Sequence, residues 1–141
     1  MPNNRSQAEN RLQGLIKTLK RKPDMKNHYS EFMSKIIEKG HASSVLLNEL
    51  HAPNGRLFYF SHFGVYQPKK PGSLRVVFDS SLEFQGVSLN KALIAGPDQM
   101  NSLVGVLMRF RKENVAVMCD VEQMFHSFHV NPEHRDFLRF L

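Results

Sequence analysis

Two groups of residues in this chain have the types and spacing that chemistry needs. In VAVMCDVEQMFHSFHV, Val115 to Val130, an apolar run rich in β-branched residues ends on the carboxylate of Asp120, and Val121, Glu122, Gln123, Met124 and Phe125 follow. A short apolar run bounded by Arg111, Lys112, Glu113 and Asn114, with nothing in it at helical spacing, reads as a buried strand over Val115–Cys119. A carboxylate where such a strand ends must be solvated, hydrogen-bonded or holding a cation. Cation binding is one reading of Asp120; the other is a helix N-cap, with Glu122, Gln123 and Phe125 beginning the helix. The second group is Lys69, Lys70 and Arg75, whose several donors near one another suit a phosphate. The same three residues also fit a solvated turn beside an edge strand. His126, His129 and His134 sit across a helix end and a turn, a poor match to zinc-ligand spacing, and read as surface histidines.

These residues need elements to hold them. Leu12, Leu15, Ile16 and Leu19 fall on one helix face, and Lys17, Lys20, Arg21 and Lys22 make the end of that helix basic, as the macrodipole favours. One reading of these cations is contact with phosphates; their commoner meaning is a solvated charge run. Pro23 stops the helix. Asp24 is positioned to cap a second one, striped by Met25, Tyr29, Phe32, Met33, Ile36 and Ile37 and stopped at Gly40. From His51 the character changes: Pro53-Asn54-Gly55 is turn chemistry, and Leu57 to Phe60 has strand propensity. Gly64-Val65-Tyr66 and Leu74 to Phe78, joined by Pro68-Lys69-Lys70-Pro71-Gly72-Ser73, predict a hairpin. Gly96-Pro97-Asp98 is a helix-start signal ahead of the stripe Met100, Leu103, Val104, Leu107 and Met108. Asn131-Pro132-Glu133-His134 is a turn, and Phe137 to Leu141 looks like a further strand.

Composition narrows the classes. The chain has 141 residues, 41% hydrophobic and 23% charged, enough for one ordinary domain or a piece of a larger protein. A net charge of +6 and a pI near 9.7 favour polyanionic partners such as nucleic acid. Cys119 is the single cysteine, which excludes an intrachain disulfide and a cysteine-cluster zinc site. No apolar stretch has transmembrane length, and MPNNRSQAEN lacks a signal-peptide core, so the expectation is an intracellular protein with no membrane partner, in cytoplasm or nucleus.

Taken in order, LRVVFDSS (Leu74 to Ser81), GVSLN (Gly86 to Asn90), AGPDQM (Ala95 to Met100), LMRFRKENVAVMCDVEQMFHSFHV (Leu107 to Val130) and RDFLRFL (Arg135 to Leu141) resemble the start of a reverse transcriptase domain, nearest to the Bel/Pao class of long-terminal-repeat retrotransposons. The stretch Tyr29 to Val45 with Gly40-His41, and FYFSHFGV (Phe58 to Val65), are similar to the region preceding the polymerase core there. The resemblance covers roughly Arg11 to Leu141 and rests on several motifs in the same order.

The resemblance implies an α+β (or α/β) fold: a helical N-terminal lead over residues 1–50, then β-rich fingers and the first part of a polymerase palm over residues 51–141. It implies that Asp120 is the first palm carboxylate, a ligand of the two divalent ions, Mg2+ or Mn2+, used in nucleotidyl transfer. Val121 matches a residue whose carbonyl meets the metal, and Phe125 the aromatic that blocks a sugar 2′-hydroxyl. Arg75 matches the cation on the incoming triphosphate, with Lys69 or Lys70 assisting. Leu89-Asn90 matches a segment of structural role. The implied partners are an RNA or DNA template-primer, deoxynucleoside triphosphates and the missing polymerase half. The sequence departs from the family in lacking a strand-turn-strand with paired aspartates, and His126 and Gln123 stand where charged residues are usual. Two function classes follow: a polymerase segment inactive alone, or a noncatalytic transposon-derived remnant that binds nucleic acid or protein.

Overall fold

The computed structural model describes residues 1–50, 56–70, 72–98 and 100–141. The Pro53-Asn54-Gly55 turn, Pro71 of the Lys-rich loop and Gln99 lie outside the described residues. Helix α1 spans Arg5–Arg21 and α2 spans Pro23–Glu38; strands β1 (Tyr59–Tyr66) and β2 (Leu74–Asp79) follow, then the short α3 (Leu89–Ala92), α4 (Leu103–Phe110) and β3 (Arg139–Phe140). Among the described residues, the 3₁₀ segments Leu47–Glu49, Met124–Ser127 and Pro132–Leu138 lie between them. The fold is α+β, with a three-stranded mixed sheet in the order β2-β1-β3. No helix among the described residues is long and apolar enough to cross a membrane.

The chain divides into two units, residues 1–93 with 129–141, and residues 94–128. In the first, β1 and β2 form the expected antiparallel hairpin, in register from Ser61 opposite Asp79 to Tyr66 opposite Leu74. Because side chains alternate across a strand, Leu74, Val76 and Phe78 share one face, and there they meet Leu12, Leu15 and Leu19 of α1 and Tyr29, Phe32 and Met33 of α2. The helical lead thus supplies half of the core. A Cβ added to Gly64 would stand 3.0 Å from both the Leu74 side chain and the Met25 methyl, so glycine is what lets α2 lie this close to the hairpin.

Helix ends follow local chemistry with one correction. Asp24 does not cap α2; Lys22 is the N-cap, Pro23 is the first helical residue, and Asp24 lies in the acidic first turn. At the other end Gly40, at φ +70°, makes a Schellman stop, with the His41 N–H donating to the Ile36 carbonyl at 2.9 Å and the Gly40 N–H to the Ile37 carbonyl at 2.9 Å.

Contacts far apart in sequence close the first unit. The Asn4 side chain is fully buried; its amide donates to the Tyr59 carbonyl at 2.8 Å and its oxygen accepts from the Tyr59 N–H at 2.7 Å, so it acts as one residue of a strand beyond the end of β2. On the other side of β1, β3 pairs in parallel, Tyr59 opposite Arg139 and Phe60 opposite Phe140. Arg139 is buried and donates to Asp136 at 2.6 Å and to the Glu49 carbonyl at 2.7 Å, tying β3 to the segment after α2. His62 joins three elements: its Nδ1 meets the Tyr29 hydroxyl of α2, and its Nε2 donates to the Leu141 carbonyl at 2.7 Å.

Candidate nucleotide and nucleic-acid interface

In the first unit the hairpin turn is built tightly. The Gln67 N–H donates to the Ser73 carbonyl at 3.2 Å, the Lys70 N–H to the Gln67 carbonyl at 3.1 Å and the Ser73 N–H to the Lys70 carbonyl at 3.1 Å, while Gly72 takes φ +81°. A glycine suits that left-handed position because it has no Cβ to clash. The turn projects Lys69 and Lys70 into solvent. Arg75, exposed and opposite Val65 in the ladder, points away from the helices, on the sheet face where Phe63 lies opposite Val77. Phe63 and Val65 are 43% and 46% exposed, so this face offers a partly apolar surface beside a cation. Phe63 is not among the residues that the sequence singles out; its outward face is legible in the alternation once the turn sets the register.

The second unit holds Asp120, Val121 and Phe125. Val115–Cys119 does not form a strand there: residues 115–121 have no regular structure, and Val115, Val117 and Met118 are 78%, 82% and 84% exposed. A strand exists only as part of a ladder, and no described strand pairs with this run. Nor does Asp120 cap a helix. The turn after it, Met124–Ser127, starts from Gln123 at φ +53°, with the His126 N–H donating to the Gln123 carbonyl at 2.8 Å. Phe125 is 83% exposed. The helix expected from Gly96-Pro97-Asp98 begins later, at Leu103, because the Asp98 carboxylate instead accepts from the Met100 N–H at 2.9 Å, a local turn that competes with helix.

Lys69, Lys70 and Arg75 therefore share one hairpin of the first unit, and Asp120, Val121 and Phe125 one short stretch of the second. Leu89 is buried and the Asn90 N–H donates to the Ser80 carbonyl at 3.2 Å, a packing role. Among the described residues no three His, Cys, Asp or Glu side chains gather to share a metal ion. The donor set of Asp120 and the Val121 carbonyl supplies two kinds of oxygen ligand, whereas a magnesium ion takes about six oxygens; the pair fits part of a coordination shell. Family models, curated proteins and solved structures give no match to this chain.

Proposed function

We propose that this chain is the fingers and early palm portion of an RNA-directed DNA polymerase of retrotransposon type, inactive without the rest of the palm. The observation that carries the reading is the ordered series from LRVVFDSS to RDFLRFL, with Arg75, Asp120 and Phe125 at the positions where the resembled family places its triphosphate cation, first metal carboxylate and sugar-blocking ring. The hairpin supports it, since Lys69 and Lys70 stand exposed in its turn and Arg75 exposed on its second strand, as phosphate donors need.

Divalent ions, when bound, activate the primer hydroxyl and neutralise charge on the triphosphate. This chain's share is the Asp120 carboxylate, the Val121 carbonyl and the hairpin cations that hold phosphate oxygens. A strand-turn-strand with paired aspartates, a motif these 141 residues do not contain, completes the ion site in the resembled enzymes. A noncatalytic nucleic-acid-binding remnant is the second reading, favoured by the same exposed cations acting without a palm.

The test is steady-state primer extension by a chimera joining this chain to the remaining polymerase half of a related element. Arg75→Ala raises KM for the triphosphate with a smaller change in kcat, the mark of lost ground-state binding. A KM unchanged in a folded, active Arg75→Ala chimera refutes the assignment.

A further inference from the structure

The cations of this chain fall into two kinds. Among the described residues Arg5, Lys35, Lys91, Lys112 and Arg139 each pair with a carboxylate, of Glu9, Glu31, Glu83, Glu113 and Asp136. Lys20, Arg21, Lys22 and Lys26, around the corner between α1 and α2, lie at the surface and enter no ion pair among the described residues; the same holds for Lys69 and Lys70. The sole acid within residues 20–26 is Asp24.

Contacts of Met25 and His28 bring the start of α2 to the hairpin near its turn, and with it two clusters over forty residues apart in sequence. Met25, in the first turn of α2, packs over Gly64 beside Leu74, since a Cβ added at Gly64 would stand 3.0 Å from both side chains. One turn further, His28 Nδ1 and the Tyr66 hydroxyl are 3.1 Å apart. Tyr66 and Leu74 are the two residues that clamp the Lys69-Lys70 turn, so the start of α2 is fixed against the base of that turn. Lys22 is the N-cap of that helix, three residues before Met25, and Lys26 follows Met25 directly, so both belong to the same end of α2.

From this juxtaposition we propose that the α1–α2 corner and the hairpin tip form one continuous phosphate-binding surface, Lys20, Arg21, Lys22 and Lys26 with Lys69 and Lys70, whose partner is the backbone of a nucleic-acid strand. An extended polyanion is the ligand that reaches both clusters at once, and its closely spaced charges match cations spread over two elements rather than gathered in a pocket. The proposal rests on the polymerase reading only for the class of partner. It gives the helical lead a binding role, the less common of the two readings that its basic residues carry in sequence alone.

The experiment uses the full chain and a labelled single-stranded deoxyoligonucleotide, with affinity followed by fluorescence anisotropy across a salt series. The variant Arg21→Gln/Lys22→Gln/Lys26→Gln is compared with Arg5→Gln/Lys35→Gln/Lys91→Gln, which removes the same net charge from cations that are already paired. The corner variant weakens binding by about 10–100-fold at low salt and reduces the log–log salt slope by about 0.7 for each phosphate it no longer neutralises; the control changes both by much less. Circular dichroism confirms that both variants are folded. Equal effects of the two variants, or an unchanged slope in the corner variant, overturn the proposal, as does tighter binding of polyglutamate than of the oligonucleotide at equal charge. Corner-dependent binding by a chain whose chimera extends no primer keeps this surface and removes the polymerase; an active chimera with no corner effect does the reverse.

Discussion

Replacing Asn4 by Ala tests whether an amide side chain really completes the sheet. Both side-chain hydrogen bonds, 2.8 and 2.7 Å long, go to the backbone of a single residue, Tyr59, and Asn4 is fully buried. Removing the amide leaves the Tyr59 N–H and C=O without these partners in a dry place. Each unsatisfied buried group costs about 1–3 kcal/mol, so a loss of about 3 kcal/mol is within the range for the pair. For a unit of this size that lowers the melting temperature by roughly 12–24 °C, at about 4–8 °C per kcal/mol. The assay is chemical denaturation of native and Asn4→Ala chains followed by circular dichroism, with Asn4→Asp as a third sample. An Asp keeps the acceptor for the Tyr59 N–H, and only its protonated form donates to the Tyr59 carbonyl. Its folded pKa is therefore raised, and the stability it restores is present at acid pH and lost as pH rises through that value. A destabilisation below about 1 kcal/mol in Asn4→Ala would refute the clamp, since a cost that small is what a solvated end gives.

Three further outcomes follow from the same reasoning. Burial pushes the Tyr29 hydroxyl up to about 12; with an ordinary value of about 10, the stability from the neutral phenol is present below pH ~10 and falls as pH rises from there towards the folded value. Tyr29→Phe flattens that alkaline loss in denaturation midpoints, and an identical alkaline profile in the variant contradicts the assignment. The chain alone extends no primer on RNA or DNA templates with magnesium or manganese, and synthesis that Asp120→Asn abolishes would contradict this. In an active chimera, Phe125→Val lowers discrimination against ribonucleotides by about 1–3 kcal/mol, the scale of a pocket-size filter; an unchanged ratio of kcat/KM values for the two sugars removes Phe125 from that role.

What the sequence disclosed is what local physics decides. The stripes Leu12-Leu15-Leu19 and Met25-Tyr29-Phe32 have the 3.6-residue period that only a helix buries on one side, and both helices formed. The Pro68-to-Ser73 cluster demanded a turn, and the alternation of Leu74, Val76 and Phe78 against Arg75 and Val77 then set which face met the helices. Pairing is not local, and there residue type misleads. Val115–Cys119 has strand-type residues, but a ladder depends on a neighbour that nothing within the run specifies. Asn4 reaching Tyr59 and Arg139 reaching Glu49 are equally invisible in sequence, being 55 and 90 residues apart. For the candidate site, the residue types of Lys69, Lys70, Arg75, Asp120 and Phe125 were legible. The approach of the α1–α2 corner to the hairpin was not, because it hangs on a glycine at position 64 and the methionine that packs over it.

The measurement that bears most directly on the polymerase reading is template-dependent primer extension by the chimera, on an RNA template with deoxynucleoside triphosphates, comparing native Asp120 with Asp120→Asn. Asparagine keeps the size of the side chain and removes the charge that a metal ligand needs. The native chimera is expected to extend the primer and Asp120→Asn to lose extension, with both proteins equally folded and equally able to bind template-primer. Extension that persists undiminished in Asp120→Asn, or a folded native chimera that binds template-primer and adds no nucleotide, would contradict the polymerase reading.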